Sequence, residues 1–176
     1  MALIVETGVG IAGAESYNTV AEISAYWIKR GHTSFATAWA AATTANHEGA
    51  AREATDFLDA EYGAFYRGTR KGYVQGKMWP RTSAQDGTGY YLPAMPPELK
   101  HAHAELAGRA ISSRLSEDSA LSGSVASKTV KAGPVSTTTS YEGGTSIEKK
   151  FGFLDGIMAP LLDRVEPGSS ASWAWR

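Results

Sequence analysis

Apolar residues recur with the 3.6-residue period of an amphipathic helix in several stretches of the chain. The first of these stretches predicts a helix over residues 19–30. Thr19 and Glu22 have the T-x-x-E spacing of a capping box, which satisfies the free amide groups at a helix start. An apolar stripe then comes from three residues at i, i+3 and i+4: Ile23, Tyr26 and Trp27.

The same period predicts four further helices, over residues 33–42, 45–61, 97–115 and 151–164. Pro97 suits the start of the longest of them, because its fixed backbone angle is already helical. Pro160 should kink or break the last one, since proline cannot donate a helical hydrogen bond. Helix 97–115 also carries small residues that allow neighbouring helices to approach closely: Ala102, Ala104, Ala107, Gly108 and Ala110.

Helix 45–61 divides into an apolar side and a charged side. Its apolar positions are Ala50, Ala51, Ala54, Phe57 and Leu58. Its acidic residues, Asp56, Asp59 and Glu61 included, are assigned to the solvated side. Carboxylates that work as an acid/base pair need burial in a cleft, and the sequence does not indicate a buried cleft around these residues.

Residues 125–142 break the helical pattern and alternate with a period of two. The segment "KTVKAGPVSTTTSY" (128–141) is rich in β-branched residues and predicts two strands that meet at Gly133-Pro134. An isolated two-stranded hairpin is only marginally stable in water. We therefore expect another strand, a neighbouring subunit or a partner protein to complete it.

Composition fits a single domain with an arm or tail. The chain has 176 residues, a net charge of −1 and no cysteine, which excludes disulfides and cysteine-ligated zinc. No apolar run reaches the ~20 residues that span a bilayer, and the N-terminus lacks the basic start of a signal peptide.

We expect a mainly α fold, a small helical bundle with a β-hairpin or extended arm and a C-terminal helix plus tail. The predicted segments are a helical core (1–115) with a long loop (63–95), a β-prone arm (116–150), and the final helix and tail (151–176).

No sequence motif indicates an enzyme, a cofactor or a metal ion. The run "GVGIAG" (8–13) matches the bare G-x-G-x-x-G pattern, but no βαβ unit surrounds it. His101 and His103 are two residues apart on a helix and therefore point to different faces. The sequence also lacks the nucleophile-elbow, Walker and zincin motifs.

The predicted loop 63–95 combines aromatic residues with five of the 17 basic residues: Arg67, Arg70, Lys71, Lys77 and Arg81. One interpretation is single-stranded nucleic-acid binding, in which Tyr73 and Trp79 stack on bases while the cations follow the phosphates. The other is structural: Phe65, Tyr66 and Trp79 anchor a core or an interface, and the cations coat the surface. The near-neutral net charge favours the second.

Five stretches of the chain, and the order in which they follow one another, resemble a known family: 15–31, 50–63, 78–110, 128–141 and 151–162. They include "MWPRTSAQDG", "HAELAGRA" and "KAGPV". The order is similar to that of tailed-bacteriophage proteins labelled DnaT-like single-stranded-DNA-binding proteins, and of head-to-tail connectors, also called neck adaptors. The resemblance covers nearly the whole chain from residue 4 to residue 162.

This resemblance implies a structural virion protein located in the phage neck and made in the host bacterial cytoplasm. It implies a dodecameric ring beneath the portal that extends the DNA channel and docks the next neck or tail protein. Its partners would be the portal protein, neighbouring adaptor subunits, the next neck or tail-completion protein and double-stranded DNA in the lumen, without a membrane. The alternative is a phage single-stranded-DNA-binding protein that uses the basic loop.

Interface residues are expected in the β-prone segment and in the tail. Those of the segment are Val125, Thr129, Val130, Gly133, Pro134, Val135, Thr137 and Tyr141. In the tail, Trp173 and Trp175 are candidate aromatic anchors, since such residues dominate many interfaces.

Overall fold

Five α-helices form the main body of the part of the chain that the structure describes. The computed structural model describes residues 2–115, 127–132, 135–140 and 151–163. The helices are α1 (Val20–Ile28), α2 (Ser34–Ala41), α3 (Thr44–Tyr62), α4 (Pro97–Ala110) and α5 (Gly152–Met158). The predicted mainly α class is confirmed.

Helix starts follow the sequence closely because their caps are local. Thr19 accepts a hydrogen bond from the Glu22 amide, and the Glu22 side chain accepts one from the Thr19 amide, which completes the capping box. Thr33 and Thr43 cap α2 and α3 by accepting from amides three residues ahead.

Helices α4 and α5 end several residues before the ends of their predicted ranges. Helix α4 stops at Ala110 rather than at residue 115, and the buried Leu115 then donates its amide to Glu53 at 2.6 Å. Helix α5 stops at Met158, and a 3-10 turn at Ala159–Leu161 contains Pro160. The predicted break at this proline is therefore confirmed.

Helix α4 lies at the centre of the body and packs against each of the other four helices. Its buried residues surround most of the helix, so it has no broad polar face. Large apolar side chains of the neighbouring segments complete the core: Ile23, Trp27, Leu58, Leu154, Met158 and Leu161. Burying each such side chain contributes roughly 1.5–3 kcal/mol.

Gly108 sets the distance between α4 and α1. A Cβ atom at this position would overlap the Trp27 ring and lie 2.6 Å from Trp27 Nε1. That indole N–H donates to the carbonyl oxygen of Ala104 at 3.0 Å. The glycine thus provides the space in which the buried tryptophan lies across α4.

The N-terminal segment is extended and pairs with the residues just before α1. Val5 and Ser16 form a parallel bridge, and the Glu6 amide donates to the Ser16 carbonyl at 2.8 Å.

The predicted loop 63–95 contains a short antiparallel ribbon of two strands, β1 (Thr69–Arg70) and β2 (Arg81–Thr82). The Trp79–Pro80 peptide bond directly before β2 is cis. Beyond the ribbon, Leu92 donates its amide to the Ala84 carbonyl at 2.9 Å, which closes the segment onto itself. The stretch is irregular, as predicted, but hydrogen bonds order it.

The predicted hairpin is present as strands β3 (Ser127–Ala132) and β4 (Val135–Ser140). They pair antiparallel, with Ala132 opposite Val135 and Val130 opposite Thr137. Strands β3 and β4 belong to one compact unit, and the five helices belong to the other.

Candidate functional site

A buried carboxylate organises the glycine-rich run at residues 8–13. Glu6 is only 2% exposed, and its two oxygens accept from the amides of Gly8 at 2.8 Å, Gly10 at 2.9 Å and Ile11 at 2.7 Å. Gly8 and Gly10 have positive φ angles, which turn successive amides toward one point. The side chain of Glu6 thus satisfies three amides of the glycine-rich run from within the chain.

Replacing Glu6 with glutamine should destabilise the protein by about 1–3 kcal/mol, because the new NH₂ group must face at least one amide donor. Chemical denaturation of both proteins measures the difference. Glu61→Gln is the matched control, since it removes the same charge from an exposed position of α3. Equal stability of the Glu6→Gln variant and the wild type would contradict this role.

Trp79 and Asp59 anchor the 63–95 segment to α3. Trp79 is fully buried, and its indole N–H donates to the Ala94 carbonyl at 2.7 Å. Asp59 accepts from the Tyr17 hydroxyl and from the Met78 amide at 3.0 Å. The prediction that Asp59 lies on the solvated face is therefore wrong, since the folded segment covers that part of the helix.

Burial determines the titration of this cluster. It raises the pKa of Asp59, although the hydrogen bonds from Tyr17 and Met78 act in the opposite direction. It also raises the pKa of Tyr17, and the negative charge of Asp59 adds to that effect. Tyr17 remains a hydrogen-bond donor, and the cluster has a structural role.

His103 forms a second buried polar cluster, between α4, α3 and the segment before α1. Its Nε2–H donates to the Ala51 carbonyl at 2.9 Å, and Nδ1 accepts from the Asn18 side-chain amide at 3.1 Å. That amide group also donates to the Lys100 carbonyl at 2.8 Å. Burial lowers the pKa of His103 from 6.5 to about 4, so the ring is neutral near pH 7.

The structure separates the five candidate DNA-facing cations into two groups. Arg67 and Lys77 pair with the carboxylates of Asp163 at 3.6 Å and Asp56 at 2.7 Å. The other three, Arg70, Lys71 and Arg81, donate to backbone carbonyl oxygens. Within the described residues, these three cations have carbonyl partners and no carboxylate within ion-pair distance, so their net positive charge is not cancelled there.

The aromatic candidates of this loop also separate. Trp79 and Tyr66 are buried side by side, with ring centroids 5.7 Å apart, which supports the structural interpretation for these two rings rather than base stacking by Trp79. Tyr73 is 97% exposed. This exposure depends on the fold of the loop, and the sequence pattern did not distinguish Tyr73 from Trp79.

Four of the predicted interface residues lie on the strands of the hairpin. Thr129 and Val130 lie on β3, and Val135 and Thr137 lie on β4. The other candidates fall outside the described residues: Val125, Gly133, Pro134, Tyr141, Trp173 and Trp175.

Within the described residues, no group of three or more acidic or histidine side chains could hold a metal ion. Across the same residues, each helix is too short or too polar to cross a lipid bilayer.

Comparison with known proteins gives one family. The family model described as "Putative DnaT-like ssDNA binding protein" matches residues 1–176, which is the whole chain. No curated protein and no solved structure matches the chain.

Proposed function

The chain belongs to the family of "Putative DnaT-like ssDNA binding" proteins, and we propose that it serves as a structural virion protein, a head-to-tail adaptor. Its copies would form a ring beneath the portal, dodecameric as in the connectors it resembles, and extend the DNA channel. The ring would dock the next neck or tail protein. This function needs surfaces for assembly and no catalytic centre.

The hairpin β3–β4 is the observation that supports this proposal. Alternate residues of a strand and their direct cross-strand partners share one face of a ribbon. The register therefore puts Val130, Ala132 and Val135 at positions of one face, whereas Thr129 and Ser136 belong to the other. The same face also carries Lys128, Thr137 and Thr139, so it is only partly apolar. A two-stranded ribbon of this kind gains stability when a third strand or another surface covers it. We assign that role to a neighbouring copy of the chain.

Replacing Val130 and Val135 together with aspartate should leave the monomer folded and impair ring formation by at least about tenfold. Each charge would have to be buried without a partner at the contact between copies. Sedimentation velocity measures self-association, and electron microscopy with the portal protein of the same phage measures ring formation. Circular dichroism and thermal melting report on the monomer.

The matched control places the same charges on the opposite face, as Thr129→Asp with Ser136→Asp. This variant should assemble like the wild type. If both double variants lose assembly equally, the apolar face is not the contact. If the valine variant unfolds the monomer, the hairpin belongs to the core and this assignment is wrong.

Single-stranded-DNA binding is the second candidate function, and the family description favours it. A specific reason comes from the exposed Tyr73 and from three cations that, in the part of the chain that the structure describes, bond to carbonyls rather than carboxylates: Arg70, Lys71 and Arg81. The near-neutral net charge of −1 argues for a small binding site rather than a long positively charged groove.

A further inference from the structure

Loop 70–77 is a tight, ordered loop built around one buried side chain. Gln75 is 4% exposed, and its side chain accepts from the Gly72 amide at 2.8 Å and donates to the carbonyls of Lys77 at 2.8 Å and Pro80 at 3.1 Å. At the tip, Tyr73 and Val74 are 97% and 73% exposed. The fold therefore holds two large apolar side chains in solvent on a fixed loop.

The base of this loop concentrates positive charge. Arg70 and Arg81 are direct cross-strand partners of the β1–β2 ribbon, a like-charge pairing that disfavours the ribbon by itself. Arg70 donates to the Gln75 carbonyl at 2.7 Å, and the adjacent Lys71 donates to the Gly8 carbonyl at 3.0 Å. Arg81 donates to the carbonyls of Arg67, Met78 and Gly68.

Nearby carboxylates do not neutralise this cluster fully. Burial and the neighbouring Arg70 lower the pKa of Arg81, while the more distant carboxylate of Asp163 acts in the opposite direction. Across the described part of the chain, the carboxylates of Asp56 and Asp163 pair with Lys77 and Arg67 instead. An anionic ligand at the ribbon would relieve the repulsion between the paired arginines.

We propose that loop 70–77 and the β1–β2 ribbon form a contact site for single-stranded nucleic acid. Tyr73 stacks on a base, and Arg70 and Lys71 lie against the adjoining phosphates. Arg81 does not contact a phosphate directly, because its guanidinium already bonds to three carbonyls. It adds to the positive potential of the site. This assignment rests on the second function proposed above and identifies the residues that would perform it.

The chemistry of the loop favours nucleic acid over an acidic protein. A tyrosine ring stacks on any base, and neighbouring cations follow the phosphates, which is the combination used by single-strand binders. An acidic polypeptide would use the cations but would give little role to an aromatic ring presented at a loop tip.

Fluorescence anisotropy with a labelled oligothymidylate, measured against salt concentration, tests the site. Tyr73→Ala should weaken binding on the order of tenfold, and Tyr73→Phe should retain most of the affinity because the ring still stacks. Lys71→Gln should reduce the slope of log affinity against log salt by about 0.7, the effect of losing one phosphate contact. Lys29→Gln, an exposed cation at the end of α1, is the matched charge control and should behave like the wild type.

Three other outcomes would overturn the site. If the oligonucleotide binds but Tyr73→Ala and Lys71→Gln bind it like the wild type, DNA binding stands and this location is wrong. If no binding occurs even at low salt, the location and the second function fall together. If polyglutamate binds as tightly as the oligonucleotide and Tyr73→Ala binds both equally well, the partner is an acidic polypeptide.

Discussion

Replacing Gly108 with alanine is expected to destabilise the protein by about 3 kcal/mol, at the upper end of the usual cost of overpacking a core. The added methyl group would overlap the Trp27 ring and lie 2.6 Å from its Nε1. Trp27 is 2% exposed and its N–H is bonded to the Ala104 carbonyl, so shifting the ring away from Gly108 would cost this buried hydrogen bond. Helices α1 and α4 must separate instead, which weakens the packing around both.

Urea denaturation of the Gly108→Ala variant measures this loss. Gly49→Ala is the control, because a Cβ atom there meets no other atom within 4 Å. It should stabilise α3 by about 0.5–1 kcal/mol, since alanine favours a helix more than glycine does. Similar stabilities of the two variants would mean that the close approach of α1 and α4 is not required.

Acidification should remove about 3 kcal/mol of stability between pH 6.5 and pH 4 through His103 alone. The pKa of this residue is lowered from 6.5 to about 4 by burial in the fold. Within that window the unfolded chain binds a proton and the folded chain does not. Falling pH therefore favours unfolding, and the loss of stability is complete once the pH is below the pKa of His103 in both the unfolded and the folded chain. Protonated Nδ1 would also place a donor against the Asn18 amide group.

His103→Gln should flatten this part of the pH profile, because glutamine can donate to the Ala51 carbonyl and accept from Asn18 without titrating. Denaturation at several pH values between 4 and 7 compares it with the wild type. Asp59 contributes the opposite slope, since its pKa is raised in the fold, and is present in both proteins. His32→Gln is the control at an exposed position, and an unchanged profile in His103→Gln would disprove the assignment.

The sequence by itself determined the local parts of this protein. Capping residues, proline positions and the 3.6-residue period predicted the five helices, and β-branched alternation predicted the two strands of the hairpin. These signals act between residues a few positions apart, so they can be recognised without the fold. The small residues of α4 likewise predicted a close helix contact, which Gly108 makes with Trp27.

Only the tertiary structure decided which polar residues are structural and which remain available. The carboxylate of Glu6 accepts from the glycine-rich run, and Asp59 accepts from the segment that covers α3. Arg70, Lys71 and Arg81 donate to backbone carbonyl oxygens. Tyr73 and Trp79 are similar in sequence but opposite in exposure. The physical reason is that a charge or an aromatic ring acquires its role from atoms distant along the chain, which come together only when the segments pack.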